Sequence, residues 1–389
     1  MEKSRIEKIG NSLVVLCLFL AAMNFGAKFF YLALGAAAIL IATRKTLKVN
    51  KAFFLCLFFG IVLGMYDVDG GGLKALIRPL AYCGLYLVGC NFTKSEDLNF
   101  EKEKKASLLV SVFSLGAFSH FMLNFFSNRG NDIGRNTLDF WTGETLSATG
   151  QAALASLMIG LSVAWLLAPP KWFFRIFSIV AIAGVFFYSL ILAGRTVFAI
   201  FALVFILGFL FLLWDKGLRG CVKPLSLVVI LTLSVVIAWS LDIGGFKTIV
   251  MESNIYQRFS ETSFQDLINT GRSERKIYFL QNMLNYPFGG ANMRAEVGYA
   301  HDLLLDAYDA YGVGVFVLLV LILLEGIKEA VKFCRNRKTS LRYRMPIFCV
   351  YMSVLMEFFV EPIFASTPWI FAFYCLLNGC LYGLNNTGT

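Results

Sequence analysis

Long apolar runs alternate with short polar interruptions along nearly the whole chain. A spanning helix needs roughly 20 apolar residues, and runs of about that length recur with few charges inside them. They fall at roughly 10–27, 29–43, 52–66, 75–91, 107–126, 152–168, 176–193, 197–214, 224–242, 303–324, 345–361 and 370–384. The expected fold is an all-α polytopic membrane protein of about 12 transmembrane helices, one integral membrane unit over residues 1–389. Two polar interruptions are much longer than the others: 127–151, and 244–302 just before the tenth span. Long loops in compact proteins tend to carry function. The larger one has helical texture. Ile255, Tyr256, Phe259, Phe264, Leu267 and Ile268 roughly follow helical spacing. A second stretch, 273–285, places Ile277, Leu280 and Leu284 on one face before "NYPFGG" breaks the helix. Amphipathic helices on the membrane surface or over a cavity are expected there.

Composition points the same way. Hydrophobic residues make up 58% and charged residues 15%, against about 25% charged in a soluble domain. Mean hydropathy is +0.69. A net charge of +10 could invite nucleic acid, but the basic residues sit in short loops between apolar runs. That is the positive-inside pattern and excludes a nucleic-acid patch. With the N-terminus inside, 23 of the 35 basic residues fall in cytoplasmic segments and 12 outside. The stretch "KEAVKFCRNRKTSLRYR" alone holds seven. Both termini are therefore expected in the cytoplasm, and both long loops outside. All nine cysteines fall in spans or cytoplasmic segments and no CxxC pair exists, so neither disulfides nor a zinc site is expected. A second apolar run follows directly after Lys28, so the N-terminus reads as a first hairpin and not as a cleaved signal.

The polar residues that remain at the outer face are few enough to weigh singly. "NTGRSERKIYF" concentrates Arg272, Arg275 and Lys276, with Arg258 and Arg294 nearby. Positive charge is expected to be scarce outside, so an anionic ligand is one explanation, since guanidinium binds phosphate bidentately and stays charged. Contact with lipid phosphates, or ion pairs to Glu274 or Glu261, is the plainer one. Arg195 stands in a tight outer turn, "ILAGRTVFAI", between two very apolar spans. An idle arginine there is costly unless it snorkels. Arg78, in "KALIRPLAY", raises the same question. His301 is the last loop residue before a span, where a neutral imidazole can act as general base; a capping or hydrogen-bonding role is the alternative. The other histidine, His120, lies mid-span and reads as a packed, hydrogen-bonded residue. Asp302, Asp306 and Asp309 share one helical face, and Tyr308 is nearly in line with His301. Such groups at the mouth of a span predict a polar cavity that holds sugar hydroxyls or a cation. The lone histidine gives no fixed-spacing metal motif.

The order of these elements carries a resemblance. Arg195 in a tight outer turn is followed by "GR" (Arg272) in a long outer loop, then "NYPFGG", then His301 and a helix with "YGVGVF". This resembles the O-antigen polymerase and O-antigen ligase superfamily of bacterial membrane glycosyltransferases, whose members are GT-C-like. The likeness extends over the topology, with motifs from about Gly194 to Phe316. It implies a metal-independent enzyme without cofactor, acting on undecaprenyl-diphosphate-linked oligosaccharide at the outer face of the bacterial cytoplasmic membrane. Arg195 and Arg272 would bind the pyrophosphate and His301 would be the base. In the family Asn or Ser often follows the histidine; here Asp302 does. Arg275, Arg78, Asp302, Asp306 and Tyr308 are taken as further substrate-binding candidates. Expected partners are the lipid-linked donor, membrane lipids and a chain-length regulator protein.

Two products fit that resemblance. A polymerase extends the glycan on a lipid-linked repeat unit, and a ligase moves it to lipid A core. The loop "DFWTGETLSATGQAALA" is more similar to polymerases, which favours polymerisation. A flippase or transporter is the alternative of another class. The chain shows no internal repeat and has a long one-sided loop, which argues against it.

Overall fold

The structure is a computed structural model. It describes residues 2–44, 46–71, 75–93, 99–129, 135–261, 271–337 and 339–386. Helices account for 83% of the described residues, against two three-residue strands, so the fold is all-α. The helices are α1 (Glu2–Ala22), α2 (Phe29–Thr43), α3 (Lys51–Gly71), α4 (Ile77–Phe92), α5 (Asn99–Ser127), α6 (Ala148–Leu167), α7 (Trp172–Ile191) and α8 (Arg195–Ser240). Short helices follow: α9 (Phe246–Met251), α10 (Asn254–Glu261), α11 (Arg272–Asn282) and α12 (Asn292–Val297). The chain closes with α13 (Leu303–Arg335), α14 (Leu341–Glu357), α15 (Ile363–Ser366) and α16 (Pro368–Asn385).

Each of the twelve apolar stretches lies on a helix. Stretches eight and nine share α8, which breaks at Gly217. Among the described residues, α5, α6, α7, α8 and α13 are long and apolar enough to cross a membrane, and α2 and part of α3 are shorter apolar helices. Burial sorts them. Helix α6 is buried on every side, as a helix apolar all round must be in the centre of a bundle. It packs against α14, α8, α7 and α5, while α16 lies along α4 on the other side. The outward faces of α7, α8 and α13 expose Val180, Ile206 and Leu321, which is the dress of helices that meet lipid.

Two polar devices fix the two long loops. Strands β1 (Asn136–Leu138) and β2 (Thr145–Ser147) pair antiparallel, with Asn136 opposite Ser147. Side chains of α5 hold this hairpin: Asn128 bonds both backbone groups of Leu138, at 2.8 and 2.7 Å, and His120 Nε2 lies 2.7 Å from the Asp139 carboxylate. His120 is thus the packed, hydrogen-bonded residue expected. The second device is a break in α13 at Gly312, with φ +77°. The break frees backbone groups, and "NYPFGG" docks on them. Val313 N–H donates to Pro287 O at 2.8 Å, and Ala291 N–H donates to Asp309 O at 2.8 Å. A Cβ on Gly312 would stand 2.6 Å from Pro287 O, and one on Gly289 2.6 Å from Gly312 N. Only glycine permits that approach. A small separate core of Phe279, Met293, Ala300, Leu305 and Tyr308 closes the joint.

The amphipathic helices of the large loop are present in part. The first stretch forms α10, while Phe264, Leu267 and Ile268 lie outside the described residues. In the second, Phe279 is the buried residue, and the face of Ile277, Leu280 and Leu284 is exposed at 53%, 59% and 84%.

Candidate functional site

Arg195 and Arg272 come from loops far apart in sequence and line one cavity of about 490 Å³. Each is the first residue of its helix, α8 and α11 respectively. Helix N-termini present unpaired N–H groups and a positive dipole end, so both placements favour an anion. Arg135, beside the outer hairpin, is a third arginine on the wall, with Thr149 and Thr196. Its loop was singled out by length, but Arg135 itself was not. Nothing in its local sequence separates it from Arg129, and only the fold brings it opposite Arg195.

The turn after α14 positions this wall. Three successive carbonyls of Phe358, Phe359 and Val360 accept from the large loop and the start of α13. Leu303 N–H donates to Phe358 O at 2.7 Å, Lys276 Nζ to Phe359 O at 3.0 Å, and Arg272 Nη1 to Val360 O at 3.2 Å. Phe359 and Val360 also line the cavity. Arg272 is therefore held by backbone through one arm of its fork.

His301 stands next to this assembly but is not among the cavity's lining residues. Its backbone is left-handed, φ +55°, an uncommon state outside glycine. Asp306 holds that turn from both sides, accepting from Ala300 N–H at 2.8 Å and from Asp302 N–H at 2.9 Å. The Nδ1 of His301 is buried and has no hydrogen-bond partner among the described residues. Burial, with the positive charges of Arg272, Arg275 and Lys276, lowers its pKa to about 4 from an ordinary 6.5. The imidazole is accordingly neutral at physiological pH and able to accept a proton, though as a weak base.

The aspartate face, expected to line a polar cavity for sugar hydroxyls or a cation, makes contacts within the protein. Asp302 caps α13, accepting from Leu304 and Leu305 N–H, and takes Lys276 Nζ at 3.1 Å. Asp309 is 1% exposed and accepts from Met293 and Arg294 N–H. Tyr308 donates to Met283 O at 2.5 Å. These groups hold the outer loop on α13. Their partners are backbone amides and carbonyls, with the Lys276 and Arg294 side chains at Asp302 and Asp309.

Arg275 lies beside Gly298 and acts on His301 through its charge. Arg294 faces Asp309 at 3.7 Å, and the Arg258 side chain lies outside the described residues. Arg78 is elsewhere. It donates to Phe364 O at 3.1 Å and to Tyr311 Oη at 3.3 Å, and lines a second cavity of about 320 Å³ with His120 and Asn24. The structure thus joins Arg195 and Arg272, sets His301, Arg275 and Lys276 around Arg272, and separates Arg78 from them. Two further groups that the sequence reading passed over, Glu357 and Glu361, lie buried on either side of the carbonyl turn. Comparison with protein-family models finds no match to this chain, and comparison with curated proteins finds no similar one.

Proposed function

We propose that the chain is a membrane-embedded, metal-independent glycosyltransferase that polymerises lipid-linked oligosaccharide repeat units, of O-antigen or capsule type. It crosses the bacterial cytoplasmic membrane about 12 times, with both termini in the cytoplasm, and works on the outer face. The observation that supports this best is the shared cavity of Arg195 and Arg272, with Arg135 as a third cation. Three guanidinium groups and two helix N-termini around one space suit a diphosphate.

The donor glycan is bonded through its anomeric carbon to undecaprenyl diphosphate. An acceptor sugar hydroxyl attacks that carbon. The carbon–oxygen bond to the phosphate breaks, and undecaprenyl diphosphate leaves with the electron pair. Its charge is met by arginines already in place, which stabilise the transition state without reorganisation. The hydroxyl proton passes to His301, kept neutral by its surroundings. Direct displacement inverts the anomeric carbon.

Two experiments test the reading. Purified protein given the lipid-linked repeat unit alone should lengthen it, with no membrane gradient and in the presence of EDTA. Deleting the gene should leave single repeat units on lipid A core in a gel of surface polysaccharide. A gel with no repeat units on the core would mean ligase, and a protein that moves the lipid-linked unit without extending it would mean flippase.

A further inference from the structure

Glu357 and Glu361 are one helical turn apart, at the end of α14 and in the turn beyond it. Glu357 is wholly buried and Glu361 is 2% exposed. Among the described residues, neither carboxylate oxygen of Glu357, nor Oε1 of Glu361, finds a hydrogen-bond partner. Buried carboxylates left so are costly, and two of them within reach of each other cannot both stay ionised. The charged groups acting on the pair are Arg272 from α11, Asp306 from α13, and each other. From α6, the hydroxyls of Thr149 and Ser156 act on Glu361 and Glu357 respectively. Thr149 and Arg272 both line the arginine cavity. Two of the residues that line the cavity, Thr149 and Arg272, therefore also act on Glu361.

We propose that Glu361 is the resident counter-charge of Arg272, a positioning residue that takes up a proton from water when a diphosphate anion enters the cavity and replaces it. This deepens the reading above and rests on its assignment of the cavity to a diphosphate. Before a diphosphate enters, Arg272, held on the carbonyl of the neighbouring Val360, favours the ionised carboxylate. A bound diphosphate neutralises that field and adds negative charge of its own. The carboxylate then gains an O–H bond, and Thr149 offers a hydroxyl between cavity and carboxylate. Burial, opposed by Arg272 and Thr149, raises the Glu361 pKa to about 7 from an ordinary 4.5. Near neutrality the group is thus part ionised and has room for a proton. Uptake should be small at about pH 6 and approach about one proton at about pH 8.

The test is calorimetric titration of inorganic pyrophosphate into the detergent-purified full chain, in pairs of buffers of equal pH and different ionisation heat. Pyrophosphate changes its own protonation on binding, equally in wild type and in Glu361→Gln, so the difference between the two proteins reads Glu361. The expected result is greater uptake by wild type, widening with pH, with Glu361→Asp restoring uptake at a shifted midpoint. Equal uptake in wild type and Glu361→Gln overturns the inference while leaving the arginine site standing. If Glu361→Gln does not fold, the comparison passes to Glu361→Asp, and a profile identical to wild type overturns it. Pyrophosphate that does not bind, or that binds Arg195→Ala and Arg272→Ala as well as wild type, overturns the anion site and the inference with it.

Discussion

Replacing Arg272 by lysine keeps the charge and removes the planar fork. One arm of that fork is tied to Val360 O, so a point charge cannot both hold the turn and grip a phosphate. Arg272→Lys should lose roughly 1.5–3 kcal/mol of charge-assisted contact, about ten- to a hundredfold in chain-lengthening rate. Arg195→Ala, which removes the charge, should lose at least as much. Arg135 is exposed, and its substitution by alanine should cost no more than a few-fold. Full activity in Arg272→Ala, at unchanged protein level, would sink the diphosphate role. His301 permits a cleaner test because the chain has only two histidines. Its folded-state pKa is lowered, so its contribution to stability is present above an ordinary 6.5 and is lost as pH falls toward about 4. In protein labelled at histidine, an imidazole titrating near about 4 should disappear from the NMR spectrum of His301→Asn. A His301 that titrates at its ordinary value would show that the site is wetter than described. At this scale the sequence marked Arg195 as a charge between apolar spans, Arg272 as part of a basic cluster in a long loop, and His301 as the last residue before a span. Glu357 and Glu361 escaped notice inside "MEFFVEPIF", since nothing local tells a buried carboxylate from one at a helix end.

The joint between α13 and "NYPFGG" is made of backbone, and backbone contacts leave little trace in residue type. The glycines at 289 and 290 announced a break, but Gly312 read as part of a continuous span, so nothing showed that a second break would fit the first. Gly312→Ala would place a Cβ 2.6 Å from Pro287 O, at φ +77°. The strain, on the order of 1–3 kcal/mol, should lower the melting temperature and open residues 283–302 to limited protease at concentrations that spare wild type. Unchanged protection would mean that the loop is held by the Phe279 and Met293 core instead. The helices themselves were legible, because apolar runs of spanning length have few other solutions. Their ends were less so: α5 and α13 extend beyond their apolar runs into charged residues. The carbonyl turn at Phe358–Val360 was invisible, since an apolar run reads as continuous span until its partners are known.

Orientation belongs to the whole molecule. Single cysteines at Ser260 and Ser340 in a cysteine-free background should label differently in intact cells, the first with an impermeant thiol reagent and the second not. The reverse would put the arginine cavity in the cytoplasm and remove its substrate. What packs where could not be read along the chain, because α6 and α8 are both apolar enough to span although one is central and the other is largely exposed. Helix α11 connects this outer surface to the site. Its first residue is Arg272, while Ile277 and Leu280 project from its exposed face. A helix anchored in the headgroup layer by such side chains rides at a depth set by the bilayer. Hydrophobic mismatch, worth fractions of a kcal/mol per Å, would then bear directly on a phosphate ligand. Reconstituted in nanodiscs of short- and long-chain lipids, the protein should show a thickness optimum, and Ile277→Ser with Leu280→Ser should flatten it.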